Sequence, residues 1–397
     1  MKLRRQIAVV GLGPVGAVVA LRLARAGHEV VILEKEAVLP RDQRASTVHP
    51  PTADMLAEFG ILQDMICRGI ISPYFQYRDH ETGPVARFDF ASISDLVNHP
   101  YRISCEQWKI VQIILKRLAA TDTVEIVQPC EATGVEQTDD GARVAFNGPD
   151  GPGHIDCDWV IACDGIRSNI RKSIGVDYEG YTITDRYWVL TTPFDFADVM
   201  PDLSYVNYVT DHDRWYSMVR GRNHWRVLFP TADHVTDDHL SKPETETAAL
   251  RSVYPDADYQ VTHRKLYRVH QRVAATFRLG RILLAGDSAH ANSPLGGQGM
   301  NSGIHDAFAL TDALMPVLKG GDAAALDRYS RQRKFAALKG VQAHAARNEE
   351  FLRERDPEER AKKIADMRRI GSDEALARAY VIRAAMLEGL QAAAKVE

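Results

Sequence analysis

The sequence predicts an α/β fold: a parallel, doubly wound domain interleaved with a mixed or antiparallel β-sheet domain, followed by a helical C-terminus. Three observations carry that expectation. Near the N-terminus an apolar run passes through GLGPVG into an amphipathic segment and a second apolar run, the strand–helix–strand order of a parallel unit. Residues 179–270 instead hold short alternating segments such as YTITDRYWVLTTPF, SYVNYVTD and HWRVLFP, divided by DHD and GRN turns. Beyond them RILLAG reads as one more buried strand, and glycine-rich sequence then opens into helical periodicity.

At 397 residues the chain exceeds one small core. The first domain is expected in three pieces, 1–72, 102–178 and 271–345; the second in two, 73–101 and 179–270; terminal helices occupy 346–397. A hydrophobic fraction of 45% and a charged fraction of 26% are those of an ordinary globular protein. The formal charge of -4 leaves no electrostatic footprint for nucleic acid. Five cysteines with no C-x-x-C pair fit reduced cytoplasmic thiols better than a disulfide frame, and no metal site is expected. MKLRRQIAVVGLGPVGAVVALRLARAG imitates a secretory signal, but glycines and a proline interrupt its apolar run, and Arg22 and Arg25 follow closely. No other segment reaches the ~18 apolar residues of a membrane span.

Taken in order, Gln6 to Val10 is a strand, Ala17 to Ala26 a helix ended by Gly27, and HEVVILE a second strand finishing at Glu34. Between the first two, Gly11, Gly13 and Gly16 allow a tight turn, close approach of a pyrophosphate and close helix–strand packing, with Pro14 and Val15 completing the turn. The helix N-terminus favours the phosphates. Glu34, with Lys35 beside it, is placed to accept hydrogen bonds from ribose hydroxyls, so this Rossmann-like unit is expected to bind a dinucleotide. Residues 35–150 contain no second such half, which argues against a plain NAD dehydrogenase. They hold Arg44, suited to a second anionic contact, and an amphipathic helix from Trp108 to Leu118. In VIACDGIRSNIR a strand ends at Asp164-Gly165, with Arg167 and Arg171 after it.

The stretch GDSAHANSPLGGQGMN places Asp287 after a strand and runs through glycines to a helix start near Gly299 to Asn301. Ile304, Ala307, Phe308, Thr311, Leu314 and Met315 recur at helical spacing beyond it. Strand, aspartate, glycine turn and helix start form a device for holding something polar. Gly320 and Gly321 stop that helix and Asp322 caps the next. Ser372 is expected to cap a last helix, DEALARAYVIRAAMLEGL. These terminal helices are expected to brace the first domain or a homodimer contact, with no thioredoxin-like extension expected after them.

GLGPVG with Glu34, CDGIRSNIR and GDSAHANSPLGGQGMN together resemble, in the same order, the single-component flavoprotein aromatic hydroxylases, the class A FAD monooxygenases of the para-hydroxybenzoate hydroxylase type. RASTVHPPTADMLAEFGILQD and YRVHQRVAATFRLGRILLAGDSAHANSPLGGQG look most like that family's para-nitrophenol branch. The resemblance implies tightly bound FAD, NADH or NADPH as transient reductant, and O2. It further implies oxygen transfer through a flavin C4a-hydroperoxide to an electron-rich ring of the phenol or hydroxypyridine type. In the nearer branch the attacked carbon can bear a leaving group such as nitro.

Carried over residue by residue, the resemblance assigns Asp287, with Gly286, to the ribityl hydroxyls of FAD. Glu34 and Arg44 then hold the adenosine and pyrophosphate, and Gln107 in SCEQWKIVQ contacts the cofactor. Asp164 and Gly165 belong to a motif used for both FAD and the nicotinamide. The turn from Pro294 through Gly297 brings the amides of Gly299, Met300 and Asn301 to the flavin N1–C2=O edge. Reduction places negative charge there, and free backbone N–H groups stabilise it. Pro294 and Gly296 keep backbone near the ring, and Pro294 is counted with the catalytic residues.

The second domain is rich in Tyr205, Tyr208, Trp215, Tyr216 and Trp225, most of which half-buried strand packing explains. With period two, Tyr216 and Met218 share a face, as do His224 and Arg226. Tyr216 and His224 are the candidates to touch an aromatic substrate or its phenolic oxygen. The family's carboxylate-binding arginine is not recognisable, so a carboxylated substrate is not implied. His49 reads as a structural loop histidine and His290 as one packed beside the cofactor. Two other readings stand: a same-fold flavin epoxidase or reductase acting on a non-phenolic substrate, and a non-catalytic dinucleotide-binding regulator. Oxygen uptake with phenols separates the first, and a colourless protein would mark the second.

Overall fold

The computed structural model describes residues 4–41 and 46–397. RRQIAVV becomes the strand Arg4–Val10, flanked in parallel by Val30–Leu33 and Gly151–Ala162. Ile7, Ala8 and Val9 are fully buried, as a parallel strand covered on both faces requires. Across the sheet the order is Arg278–Leu279, Ile282–Leu284, Gly151–Ala162, Arg4–Val10, Val30–Leu33 and Val124–Val127. A hairpin, Glu131–Thr138 and Gly141–Gly148, adds antiparallel to Gly151–Ala162. The first helix is Pro14–Arg25, three residues earlier than periodicity alone gives, because proline is tolerated where the first helical N–H has no partner. Helices Gln107–Leu118 and Gly299–Val317 pack against it.

The second sheet runs His290–Ala291, His263–Ala274, Tyr178–Thr192, Trp225–Thr231, Tyr216–Arg220, Val206–Thr210, Tyr74–Asp79 and Gly83–Asp89. All its pairs are antiparallel except Val206–Thr210 with Tyr74–Asp79, so the sheet is mixed. Its two longest strands, Tyr178–Thr192 and His263–Ala274, run through the sequence positions where one domain was expected to yield to the other. The GD segment joins the sheets: Ile282–Leu284 pairs in the first, and His290–Ala291 pairs in the second. A small third sheet comprises Thr47–Val48, Arg102–Ser104 and Ile70–Ser72, and its Thr47 carbonyl accepts from Asn301 Nδ2 at 2.8 Å.

Side chains of the second sheet alternate between two cores. Tyr187, Val189, Tyr208 and Leu228 share a core with Phe351 and Tyr380 of the terminal helices. Trp188, Leu190, Tyr216, Met218 and Phe229 face the other way, onto Ala249 and Leu250 of the helix Pro243–Arg251.

Past Gly299–Val317, Gly320 takes φ +90° and the Asp322 carboxylate accepts from the Ala324 N–H at 2.9 Å. The following helix, Ala324–Phe335, passes through a π-helical stretch, Ala336–Gln342, into Ala343–Arg353. The expectation for the last helix needs two corrections. Ser372 ends the helix Pro357–Ser372, its hydroxyl donating back to the Arg369 carbonyl at 3.1 Å. Asp373 is the cap instead, extended in backbone and accepting from the Leu376 N–H at 2.9 Å. The expected single helix then divides into Glu374–Ala384 and Leu387–Ala393, because Met386 adopts a left-handed φ of 73°. Among the described residues no helix is long and apolar enough to cross a membrane.

Candidate active site

A cleft of about 1200 Å³ runs from the GLGPVG turn to one face of the second sheet. At its first end the glycines divide by role. A Cβ on Gly11, which has φ +97°, would lie 2.5 Å from the Cys163 carbonyl oxygen, and one on Gly16 would lie 2.0 Å from the Gly11 oxygen. These two are glycine because backbone occupies the space. Gly13 has nothing within 4 Å of a Cβ position and, with Pro14 and Val15, lines the cleft. Gly16 itself does not line it; its part is packing.

Glu34 ends its strand with the carboxylate accepting from the Leu12 N–H at 2.6 Å and the Glu36 N–H at 2.9 Å. It lines the cleft with Lys35, and Gln107 does so at the start of its helix. Arg44 lies outside the described residues.

Asp164 and Gly165 line the middle of the cleft. Burial pushes the Asp164 pKa up; one carboxylate oxygen accepts from the Ile170 N–H at 3.2 Å, while the other is buried with no partner. Arg171 ties this loop to the GD segment, donating to the Ile166 and Ser288 carbonyls at 2.8 Å each, with its guanidinium over the Tyr178 ring.

Gly286 and Asp287 line the cleft opposite. Gly286 has φ +64°, and a Cβ there would meet Val15 at 2.8 Å, so the GD turn and the GLGPVG turn are in direct contact. Beneath the turn lies an arrangement that sequence reasoning missed. Asp306, fully buried, accepts from the Gly286 N–H at 3.0 Å, from Arg333 Nε at 2.6 Å and from His290 Nε2 at 2.7 Å. Burial opposes its ionisation, but His290 and Arg333 outweigh that and hold its pKa below the ordinary value. His290 thus supports the turn from behind.

Pro294, Gly297, Gly299 and Met300 line the cleft where the helix Gly299–Val317 begins. Its first turn carries backbone N–H groups without intrahelical partners. Asn301 does not line the cleft. Its buried side chain donates to the Thr47 and Gly297 carbonyls at 2.8 and 2.7 Å and accepts from the His49 N–H at 2.8 Å, which fixes the helix start. The His49 ring bonds the Gly296 carbonyl at 2.9 Å, and burial holds its pKa well below the ordinary value.

The two second-domain candidates require correction. Tyr216 does share a face with Met218, but that face packs on the helix Pro243–Arg251, and the Tyr216 hydroxyl lies 3.0 Å from His80 Nδ1. Ser217 and Val219, one position over, line the cleft instead. His224 sits in the turn before Trp225, packed on Gly221 and 3.7 Å from Glu106, and does not line the cleft. Tyr208, Arg226 and Arg102 do. Tyr208 was visible in sequence as one of several aromatic residues; nothing local distinguished Arg102.

The residues present fit a flavin dinucleotide. Gly13, Gly165 and Gly299 each leave a Cβ-sized space open to the cleft, a buried carboxylate oxygen of Asp164 lacks a donor, and two helix N-termini open onto it. If Asp287 holds the ribityl hydroxyls of FAD, as the resemblance implies, Asp287→Ala removes charged hydrogen bonds of ~1.5–3 kcal/mol each. It is expected to weaken FAD binding at least ~10-fold. Full FAD occupancy of that variant under dialysis would remove Asp287 from the assignment.

Comparison with known proteins bears on the same cleft. A family model described as FAD binding domain matches residues 4–344. Para-nitrophenol 4-monooxygenase of Pseudomonas sp. (strain WBC-3) is 34% identical over 388 residues, covering 96% of this chain and 96% of that protein. 6-hydroxy-3-succinoylpyridine 3-monooxygenase of Pseudomonas putida is 32% identical, covering 85% of this chain and 87% of that protein. The crystal structure of p-nitrophenol 4-monooxygenase from Pseudomonas putida superposes with a TM-score of 0.92 at 33% identity, covering 98% of this chain and 99% of that one.

Proposed function

The chain belongs to the FAD binding domain family, and from that premise we propose that it is an FAD-dependent monooxygenase that hydroxylates an electron-rich aromatic ring at the expense of NADH or NADPH. The observation that carries this reading is one continuous cleft joining the nucleotide-binding turns to the apolar face of the second sheet. FAD, when bound, supplies the redox chemistry through which NAD(P)H and O2 meet.

The chain's own residues do the rest. Glu34 and the GLGPVG turn would hold the adenosine end, Asp287 the ribityl chain, and the first turn of Gly299–Val317 the electron-accepting edge of the ring system. Val189, Val206, Leu228, Val269 and Leu295 make the inner wall apolar, which excludes water from the reacting carbon. The Asp306–His290–Arg333 set keeps the GD turn rigid beneath the cofactor. The named activities of the two Pseudomonas relatives favour a phenol or hydroxypyridine substrate over a non-phenolic one.

Anaerobic reduction of the purified yellow protein by each nicotinamide, with and without a panel of phenols and hydroxypyridines, tests the reading. At least one ring compound should accelerate flavin bleaching and, in air, appear as a hydroxylated product. A colourless protein, or bleaching indifferent to every compound, would overturn it.

A further inference from the structure

We propose that a second cavity, behind the start of the helix Gly299–Val317, binds a small aromatic carboxylate, and that its occupancy is felt at that helix start. The site is independent of the hydroxylase reading. Its coupling to the flavin rests on the flavin edge lying at that helix start, as proposed above.

The cavity has a volume of about 160 Å³. It lies where the helix start meets the π-helical stretch Ala336–Gln342 and the junction between Glu374–Ala384 and Leu387–Ala393. Its sides are apolar, formed by Phe335, Val341, Met386 and Leu390. A space of roughly 150 Å³ with walls of this kind holds one benzene ring. Two irregular backbone features shape it. π-Helical insertions occur most often at functional sites. Met386, the one non-glycine residue with positive φ among the described residues, holds a left-handed conformation that surrounding packing must offset.

The rim is cationic. Lys339, Arg347 and Arg383 line the cavity against one carboxylate, Glu388, while the charge of Arg333 is met by Asp306. Among the described residues none of the three cations has a carboxylate partner. Arg383 lies over the Tyr380 ring at 5.5 Å. Lys339 and Arg347 are exposed and Arg383 is half-buried, so their charged ends are open to a ligand arriving from solvent. The fields of Arg347 and Arg383 converge on the same two buried groups, His344 and Tyr380, which sets these like charges close together. An anion between them relieves that repulsion.

The buried polar groups of the cavity are already engaged, and this orients the ligand. Gln298 Nε2 donates to the Ala384 carbonyl at 3.2 Å, and the Ser302 hydroxyl accepts from Arg333 Nη2 at 3.1 Å. The His305 ring bonds the Thr52 hydroxyl at 2.8 Å. The ring of the ligand therefore goes inward and its charge faces the rim. A planar carboxylate matches the arginine fork, whereas a bare phosphate would leave the apolar walls uncovered.

Gln298 caps the helix Gly299–Val317 and Ser302 lies in its first turn, while Gly299 and Met300 line the cleft. An occupant of the cavity thus braces the helix start from the side of the terminal helices.

Titration calorimetry of the FAD-loaded protein with benzoate tests the site, with benzamide as the neutral isostere and inorganic phosphate as the bare anion. Benzoate should bind saturably with a millimolar or tighter Kd and raise the thermal midpoint. Benzamide and phosphate should each bind at least ~10-fold more weakly. The double variant Arg347→Gln, Arg383→Gln should lose ~10–100-fold in benzoate affinity. Its FAD content should be unchanged, and its thermal midpoint without ligand equal or higher, because two like charges have gone. Benzoate should also perturb the flavin absorbance of the wild type and not that of the double variant.

Absence of saturable benzoate binding, unchanged affinity in the double variant, or benzamide or phosphate binding as tightly as benzoate overturns the site. If the double variant does not fold, Lys339→Gln and Arg347→Gln, both at exposed positions, decide in its place, and unaltered benzoate affinity in both overturns the site. Binding that depends on the arginines but leaves the flavin spectrum untouched keeps the site and overturns its coupling to the helix start. A protein without flavin overturns the hydroxylase reading, and the thermal midpoints with benzoate still decide the site.

Discussion

Replacing Asp306 with alanine should destabilise the protein by about 3–5 kcal/mol, the cost of leaving a buried cation without its partner. Arg333 is 4% exposed and loses its carboxylate at 2.6 Å, the Gly286 N–H loses its acceptor at 3.0 Å, and His290 loses its bond at 2.7 Å. Urea unfolding of the cofactor-free protein isolates this from FAD binding. A change below ~1 kcal/mol would mean that the three groups find other partners. The pH dependence has a definite sign. Because the folded Asp306 pKa lies below its ordinary value of 3.8, its contribution is fully present above that value and is lost as the pH falls through the depressed folded value. Wild type and Asp306→Ala should therefore converge in stability only in strong acid.

Gly16→Ala should be the most damaging single methyl in the cofactor domain. The added carbon would lie 2.0 Å from the Gly11 carbonyl oxygen, which is backbone and cannot rotate aside, so the helix Pro14–Arg25 must move off its strand. Overpacking of this kind costs about 1–3 kcal/mol or more, and it displaces the helix N-terminus proposed to meet the pyrophosphate. Loss of both thermal stability and flavin absorbance is expected. Gly13→Ala is the contrasting case: no atom lies within 4 Å of its Cβ position, so the fold should be unaffected while FAD binding weakens. If Gly13→Ala lost as much stability as Gly16→Ala, the division between packing and contact glycines would be wrong.

Much of the first domain was readable along the chain because its signals are local. Proline, glycine and an acidic residue at set distances state where a strand turns into a helix and where backbone packs too closely for a side chain. The same holds for GDSAHANSPLGGQGMN, whose glycines at 296 and 297 take φ +104° and +68°. The helix ends were less readable: Ser372 and Asp373 are both good caps by type, and the choice between them rests on one residue of backbone geometry.

Period two in residues 216–218 established that Tyr216 and Met218 share a face, and they do. Which face meets the cleft was decided by the helix Pro243–Arg251, which covers one side and leaves Ser217 and Val219 to the other. Asp306, Arg333 and His290 are dispersed along the chain, and Arg102 is one arginine among many until Phe75, Phe90 and Tyr208 close around it. By itself, then, the sequence determined the geometry of the glycine turns that line the cleft, since neighbouring residues alone dictate it. Only the tertiary structure decided which side chains face the ring-sized end of the cleft and which charges are buried, because burial is a property of what distant segments bring together.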